Sequence, residues 1–148
     1  MSVGYHFSSL RVVGPRQRAE HVLGFILDTE NVIEYAEAVR ATRGAPRSGA
    51  WSWLRAYEGE SPRGQDSHDP VPVLGCLRWL RDFSHLDHRK NRAFWSETEK
   101  QYWRPDGKHP DYSPELLAKR LARDLNGMIE ICEAAAGNDQ RVVLTCVL

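Results

Sequence analysis

The chain has 148 residues, and its 20 Lys plus Arg balance 20 Asp plus Glu. That length fits one domain, residues 1–148, and 41% hydrophobic residues are enough to build a core. Zero formal charge excludes the large positive excess of a protein that coats nucleic acid without sequence preference.

No apolar run approaches the ~18–20 residues of a membrane span. The start, MSVGYHFSSLRVVGPRQ, lacks the pattern of a signal peptide. A cytoplasmic protein with no membrane partner is therefore expected. Cys76, Cys132 and Cys146 are odd in number and far apart, with no CxxC. They read as buried free thiols in a reducing compartment, not as zinc ligands.

Along the chain, GYHFSSLRVVG reads as a strand stopped by Gly14-Pro15. From Pro15 to Thr42, Val22, Phe25, Ile26, Val32, Ile33, Ala36 and Val39 recur at helical spacing, predicting one helix or two broken at DTEN (Asp28 to Asn31). Gly44 to Asp69 is loop-rich. A short helix, about Ala50 to Tyr57, anchors it through Trp51, Trp53, Leu54 and Tyr57. GESPRGQDSHDP then reads as exposed and mobile. A long helix is predicted from near Pro72 to about Tyr102, followed by a turn at RPDGKHPDYS.

Ser113 caps the next helix, with Pro114 at its first position. Leu117, Leu121, Leu125, Met128, Cys132 and Ala135 form its stripe, and Gly137 ends it. RVVLTCVL closes the chain as a buried strand. Two strands alone are marginal in water. The fold class is thus α+β: a mostly helical domain of three to five helices with a small sheet formed by the N- and C-terminal strands.

The stretch LRWLRDFSHLDHRKNRAFW, Leu77 to Trp95, crowds cations, imidazoles and tryptophans. On a helix, Arg78, Arg81, His85, His88 and Arg92 share a strip about 80° wide over about four turns. Cys76, Trp79, Phe83, Leu86 and Phe94 fall on the opposite side. Arginine forks suit phosphate or carboxylate, and histidine adds a proton donor near neutral pH. The strip therefore suits an acidic protein surface, or a phosphodiester. A solvated face with arginines paired to nearby acids is the structural alternative.

Within it, Arg81-Asp82-Phe83-Ser84-His85-Leu86-Asp87-His88 resembles the motif of HEPN-type domains: an arginine, a polar residue, then a histidine after four to six intervening residues. The resemblance covers these eight residues. It implies a metal-independent ribonuclease of a toxin–antitoxin or defence system, a homodimer, and a catalytic pair at Arg81 and His88 beside Asp82. Arg78 to His85 and Arg63 to His68 fit the same spacing.

His85 and His88 at i, i+3 can hold a metal with a third ligand such as His21, Glu30 or Glu34, but the neighbouring arginines would repel a dication. Glu30, Glu34 and Glu37, with Asp124 and Glu130, read as a solvated acidic face or as partners for the basic strip. No metal and no cofactor is expected. No GxGxxG, GxxxxGK[ST], GxSxG or HExxH occurs.

The leading expectation is a small binding or regulatory protein, of inhibitor, immunity or counter-defence type. It would act on a protein partner through Arg78, Arg81, His85, His88 and Arg92, with Trp51 and Trp53 as further contacts. RNA is the alternative partner, and a homodimer is a further option.

Overall fold

Strands from the two ends of the chain lie side by side. In the computed structural model, which describes residues 4–27, 31–84 and 114–147, β1 (Gly4–Arg11) pairs antiparallel with β4 (Arg141–Val147) from Gly4↔Val147 to Leu10↔Arg141. Both segments are rich in the β-branched and aromatic residues that fit a pleated, half-buried surface. Two further strands complete the sheet in the order β2-β1-β4-β3. The α+β reading, with termini forming the sheet, is what the chain adopts.

The N-terminal half of the segment read as helix between Pro15 and Thr42 is instead β2, Glu20–Leu27. It runs antiparallel to β1, with Tyr5↔Leu27 and Phe7↔Phe25 opposite one another. Only the second half is helical, as α1, Asn31–Val39. The run VLGFIL satisfies helical and extended periodicities alike, and such short apolar runs are ambiguous locally. The choice falls to β1, whose backbone groups need an antiparallel neighbour. Gly24 fits this outcome: it lies opposite Ser8, and a Cβ there would collide with His6 Nε2. Between Ser8↔Gly24 and Leu10↔His21 the register slips by one residue. Ser9 Oγ accepts from Leu23 N at 3.0 Å in this bulge.

The tryptophan segment forms a 3-10 helix, Ser48–Leu54, rather than a helix reaching Tyr57. Tyr57 belongs to β3, Tyr57–Glu58, which runs parallel to β4. The stretch GESPRGQDSHDP is not the exposed tip expected from its composition, because Pro62, Gly64 and Ser67 are buried. Its backbone is satisfied by the strand-connecting loop and β4: Ala19 N donates to Pro62 O at 2.9 Å, Gly64 N to Gln17 O at 3.1 Å, and His68 N to Val142 O at 2.7 Å.

α2 spans Pro70–Ser84, starting two residues before the expected Pro72. Asp69 Oδ1 accepts from Val71 N at 3.0 Å in its first turn. The remainder of the predicted helix to Tyr102 and the turn at RPDGKHPDYS lie outside the described residues. α3, Pro114–Gly137, has the expected stripe: Leu121, Leu125, Met128, Cys132 and Ala135 are buried. It ends where expected, with Gln140 N bonding back to Ala135 O at 2.9 Å and Asp139 in the left-handed region at φ 54°.

Strand alternation places Phe7, Phe25, Leu27, Val142 and Leu144 with the helices in the main core. Leu10 and Val143 face the other way, packing with Ala19, Val12 and Tyr57 in a second small cluster. α3 lies across β2 so closely that a Cβ on Gly127 would stand 2.7 Å from the Phe25 ring. Among the described residues, no helix is long and apolar enough to cross a membrane.

Candidate functional site

The basic face of α2 starts as the sequence predicts. Val73, Cys76, Leu77 and Leu80 are buried, while Arg78 is exposed and Arg81 is about one-third exposed. Each arginine already has a carboxylate. Arg78 Nη2 lies 3.3 Å from Glu133 Oε1 on α3, and Arg81 Nε lies 3.3 Å from Asp82 Oδ1. Such wet pairs contribute about 0–1 kcal/mol. His85, His88 and Arg92, the remaining members of the strip, lie outside the described residues.

Trp51 and Trp53 are core residues, 6% and 0% exposed. Their indoles donate to Pro46 O at 2.8 Å and to Cys76 Sγ at 3.4 Å. Trp51 meets Trp79 edge-on at 5.9 Å, and Trp79 stacks on Phe83 at 4.8 Å. Large amphipathic rings anchor an otherwise loop-rich segment, which is why the fold buries them instead of presenting them to a partner.

The acidic residues singled out in the sequence are dispersed. Asp124 is fully buried with Arg123 Nη2 at 3.0 Å from its Oδ1, Glu37 pairs with Arg40 at 3.4 Å, and Glu130 is exposed. Glu30 lies outside the described residues. Among the described residues, no group of three His, Cys, Asp or Glu side chains is placed to hold a metal ion.

A site the sequence did not single out lies on the sheet face turned away from the helices. β1 puts His6 and Ser8 there, β2 brings His21 and Ile26, and β4 adds Thr145. His6, His21, Ile26, Thr145 and Glu60 line a cleft of about 390 Å³. The Glu60 carbonyl, 3.3 Å from His21 Nε2, can only accept, so Nε2 carries the hydrogen. His21 Nδ1 then accepts from the Ser8 hydroxyl at 3.0 Å.

Thr145 Oγ1 donates to His6 O at 3.1 Å and fixes the strand beneath the second ring. The imidazoles stand 6.2 Å apart. Burial, and then His21, lower the His6 pKa below its ordinary 6.5, which favours the neutral ring at physiological pH. Ser8 is fully buried, so its hydroxyl orients His21 and is closed to a substrate. The cleft thus offers apolar walls beside hydrogen-bonding imidazole rings, with Glu60 as its carboxylate residue.

One wall of the cleft is the edge of the sheet. β2 is terminal in the strand order, so among the described residues no strand lies beside its outer backbone groups. From His21 to Leu27 it carries no Asp, Glu, Lys or Arg, and Val22, Leu23 and Ile26 are 40%, 47% and 75% exposed. The usual edge devices, charge or proline, are absent. Reading Glu20–Leu27 as a helix hid both edge and cleft. The signal in the sequence was the alternation His6-x-Ser8 on β1, which marks one polar face, together with Gly24.

No family model matches this chain, nor does any curated protein or solved structure with which it was compared.

Proposed function

We propose that this chain is a small binding protein whose partner is another protein, captured as an extended segment along β2. The observation that carries the reading is the edge strand β2, uncharged from His21 to Leu27, exposing Val22, Leu23 and Ile26 beside the two-histidine cleft. In strand addition, main-chain hydrogen bonds supply affinity and pockets for alternate side chains supply specificity. Here the free edge offers the first and the His6–His21–Ile26 cleft the second.

The basic face of α2 is the alternative surface, proposed from the sequence. Arg78 and Arg81 project outward, but each has a carboxylate partner, so the sheet edge supports the reading better. The ribonuclease implied by the HEPN resemblance is the alternative activity, and rests on Arg81 and His88.

The test is capture of partners from a native lysate by wild type, Val22→Lys/Ile26→Lys and Arg78→Glu/Arg81→Glu, each with a melting curve. The edge variant is expected to fold normally and to lose a partner that the wild type and the α2 variant retain. Retention by the edge variant with loss in the α2 variant overturns the edge reading in favour of the basic face. Metal-independent RNA cleavage in EDTA that vanishes in His88→Ala would establish the ribonuclease instead.

A further inference from the structure

Of the two edges of the described sheet, β3 is two residues long, so β2 is the long one. An exposed apolar edge is a template for a further strand unless something covers it. The inference below rests on the reading of β2 as a strand-capturing edge and names the segment it takes.

The regular part of that edge is residues 23–27, between the bulge and the end of the strand, with Phe25 at its midpoint. Leu23 N donates to Ser9 on β1. Backbone groups alternate in direction along a strand, so Phe25 and Leu27 also turn their N–H and C=O inward, while Gly24 and Ile26 turn theirs outward. This pattern is symmetric about Phe25. When a second copy of residues 23–27 runs antiparallel with the two Phe25 residues opposed, Gly24 of each copy and Ile26 of the other exchange both hydrogen bonds. Ile26 of the second copy then lies beside the His6 ring that covers Gly24.

The helix layer fits the same axis. α3 packs on both β1 and β2, and Gly127 sits against the Phe25 ring. Strands about 4.8 Å apart put a helix that straddles β1 and β2 roughly 5 Å from an axis lying between β2 and its copy. The two α3 helices are then roughly 10 Å apart, the spacing of packed helices. Arg123 and Glu130, at i−4 and i+3 from Gly127, share its side of α3. The Arg123 guanidinium lies over the Phe25 ring at 5.9 Å from its centroid and its side chain is 54% exposed. Glu130 is exposed and forms no ion pair with a described residue. Antiparallel α3 helices set Arg123 of each copy opposite Glu130 of the other, so the face is self-complementary in charge as well as in hydrogen bonding.

We infer that β2 takes β2 of a second copy of this chain, antiparallel about a two-fold axis at Phe25, joining two sheets into one and bringing the α3 flanks together. Such an isologous contact uses up both long edges and closes on itself, so it makes a dimer and not a fibre. Any other extended segment competes with the second copy for the same edge.

The experiment is sedimentation velocity on the full chain over a series from roughly 1 to 200 μM. Wild type is expected to pass from monomer to dimer. Ile26→Pro removes an outward N–H and spares the ladder to β1, a change edge strands tolerate, and is expected to stay monomeric. Glu130→Arg opposes like charges at two equivalent places across the axis and should weaken the dimer roughly 10-fold. Arg123→Glu/Glu130→Arg restores opposite charges and should recover most of that loss. Melting curves at the monomeric end of the series check each fold, since dimerisation itself raises the melting temperature. Should Ile26→Pro or the charge swap fail to fold, Glu130→Arg, at an exposed position, decides. A wild type that stays monomeric throughout overturns the inference. So does a dimer that Glu130→Arg leaves unchanged, or that the folded swap fails to recover. Strand capture is decided separately: a lysate partner lost by Val22→Lys/Ile26→Lys beside a monomeric wild type leaves the edge reading standing and removes the second copy.

Discussion

His68 and Val142 exchange both backbone hydrogen bonds, His68 N to Val142 O at 2.7 Å and Val142 N to His68 O at 3.0 Å. This bridge ties the polar segment before α2 to β4, which lies between β1 and β3. Arg63, the basic residue of that segment, is held as well: it bridges Arg18, and its Nη1 donates to Arg16 O at 3.2 Å. Limited trypsin digestion of the native protein is therefore expected to spare Arg63 until β4 opens. Cleavage at Arg63 with the rest of the domain intact would show that the bridge opens independently.

Two glycines should respond in opposite directions. A Cβ on Gly64 would collide with the Gly14 carbonyl oxygen and stand 2.7 Å from Val12 Cγ1, so backbone must move. Gly64→Ala is expected to cost about 1–3 kcal/mol. Gly75 lies on the exposed side of α2 with nothing within 4 Å of a Cβ. Gly75→Ala should stabilise by about 0.5–1 kcal/mol through helix propensity and a less flexible unfolded chain. Urea midpoints measured side by side check both signs.

The cysteines divide by environment. Burial pushes the Cys76 thiol up to about 11, with a smaller opposing effect from the Trp53 indole. Burial, then Glu133, push Cys132 up to about 12. Cys146 is only partly buried. A thiol reagent at pH 8 is expected to label Cys146 first and to leave the other two until the chain unfolds, as mass spectrometry of timed samples would show. Both buried thiols stay protonated in the fold above their ordinary 9.0, where the unfolded chain ionises. Stability contributed by them is present below pH 9 and is lost as pH rises from 9 towards 11.

Histidine sets the acid side. The pKa of His6 is lowered by burial and then by His21, and that of His68 by burial, Arg141 and Arg55 against Asp66. Below pH 6.5 the unfolded state takes up these protons before the folded state does. The stability they contribute is therefore present above pH 6.5 and lost as pH falls below it. The urea midpoint should drop between pH 7.5 and 5.5, and His6→Gln/His68→Gln should flatten that drop. An equal drop in the double variant would place the acid sensitivity elsewhere.

Local chemistry in the sequence determined β1, α3 and β4, and the start of α2. Each carries its own local signal: the GYHFSSLRVVG run stopped by Gly14-Pro15 for β1, the Leu121–Leu125–Met128–Cys132 stripe for α3, and the continuous β-branched apolar run for β4. It also determined that α2 buries Cys76 and turns Arg78 outward, because side-chain direction follows from helical geometry.

Only the tertiary structure decided that Glu20–Leu27 is a strand. Its apolar pattern fits either period, and the unpaired backbone of β1, distant in neither energy nor space, selects extension. The same long-range pairing decided the segment from Gly59 to Asp69. Its composition is that of a loop tip, but hydrogen bonds to Gln17 and Val142 hold it. The two-histidine cleft and the position of His68 follow from those two decisions. His6 meets His21 only once β2 lies beside β1, and His68 meets Arg141 only once the polar segment pairs with β4. Contacts between residues far apart in the chain leave no mark in local spacing, because what creates them is backbone hydrogen bonding, which every residue type can supply.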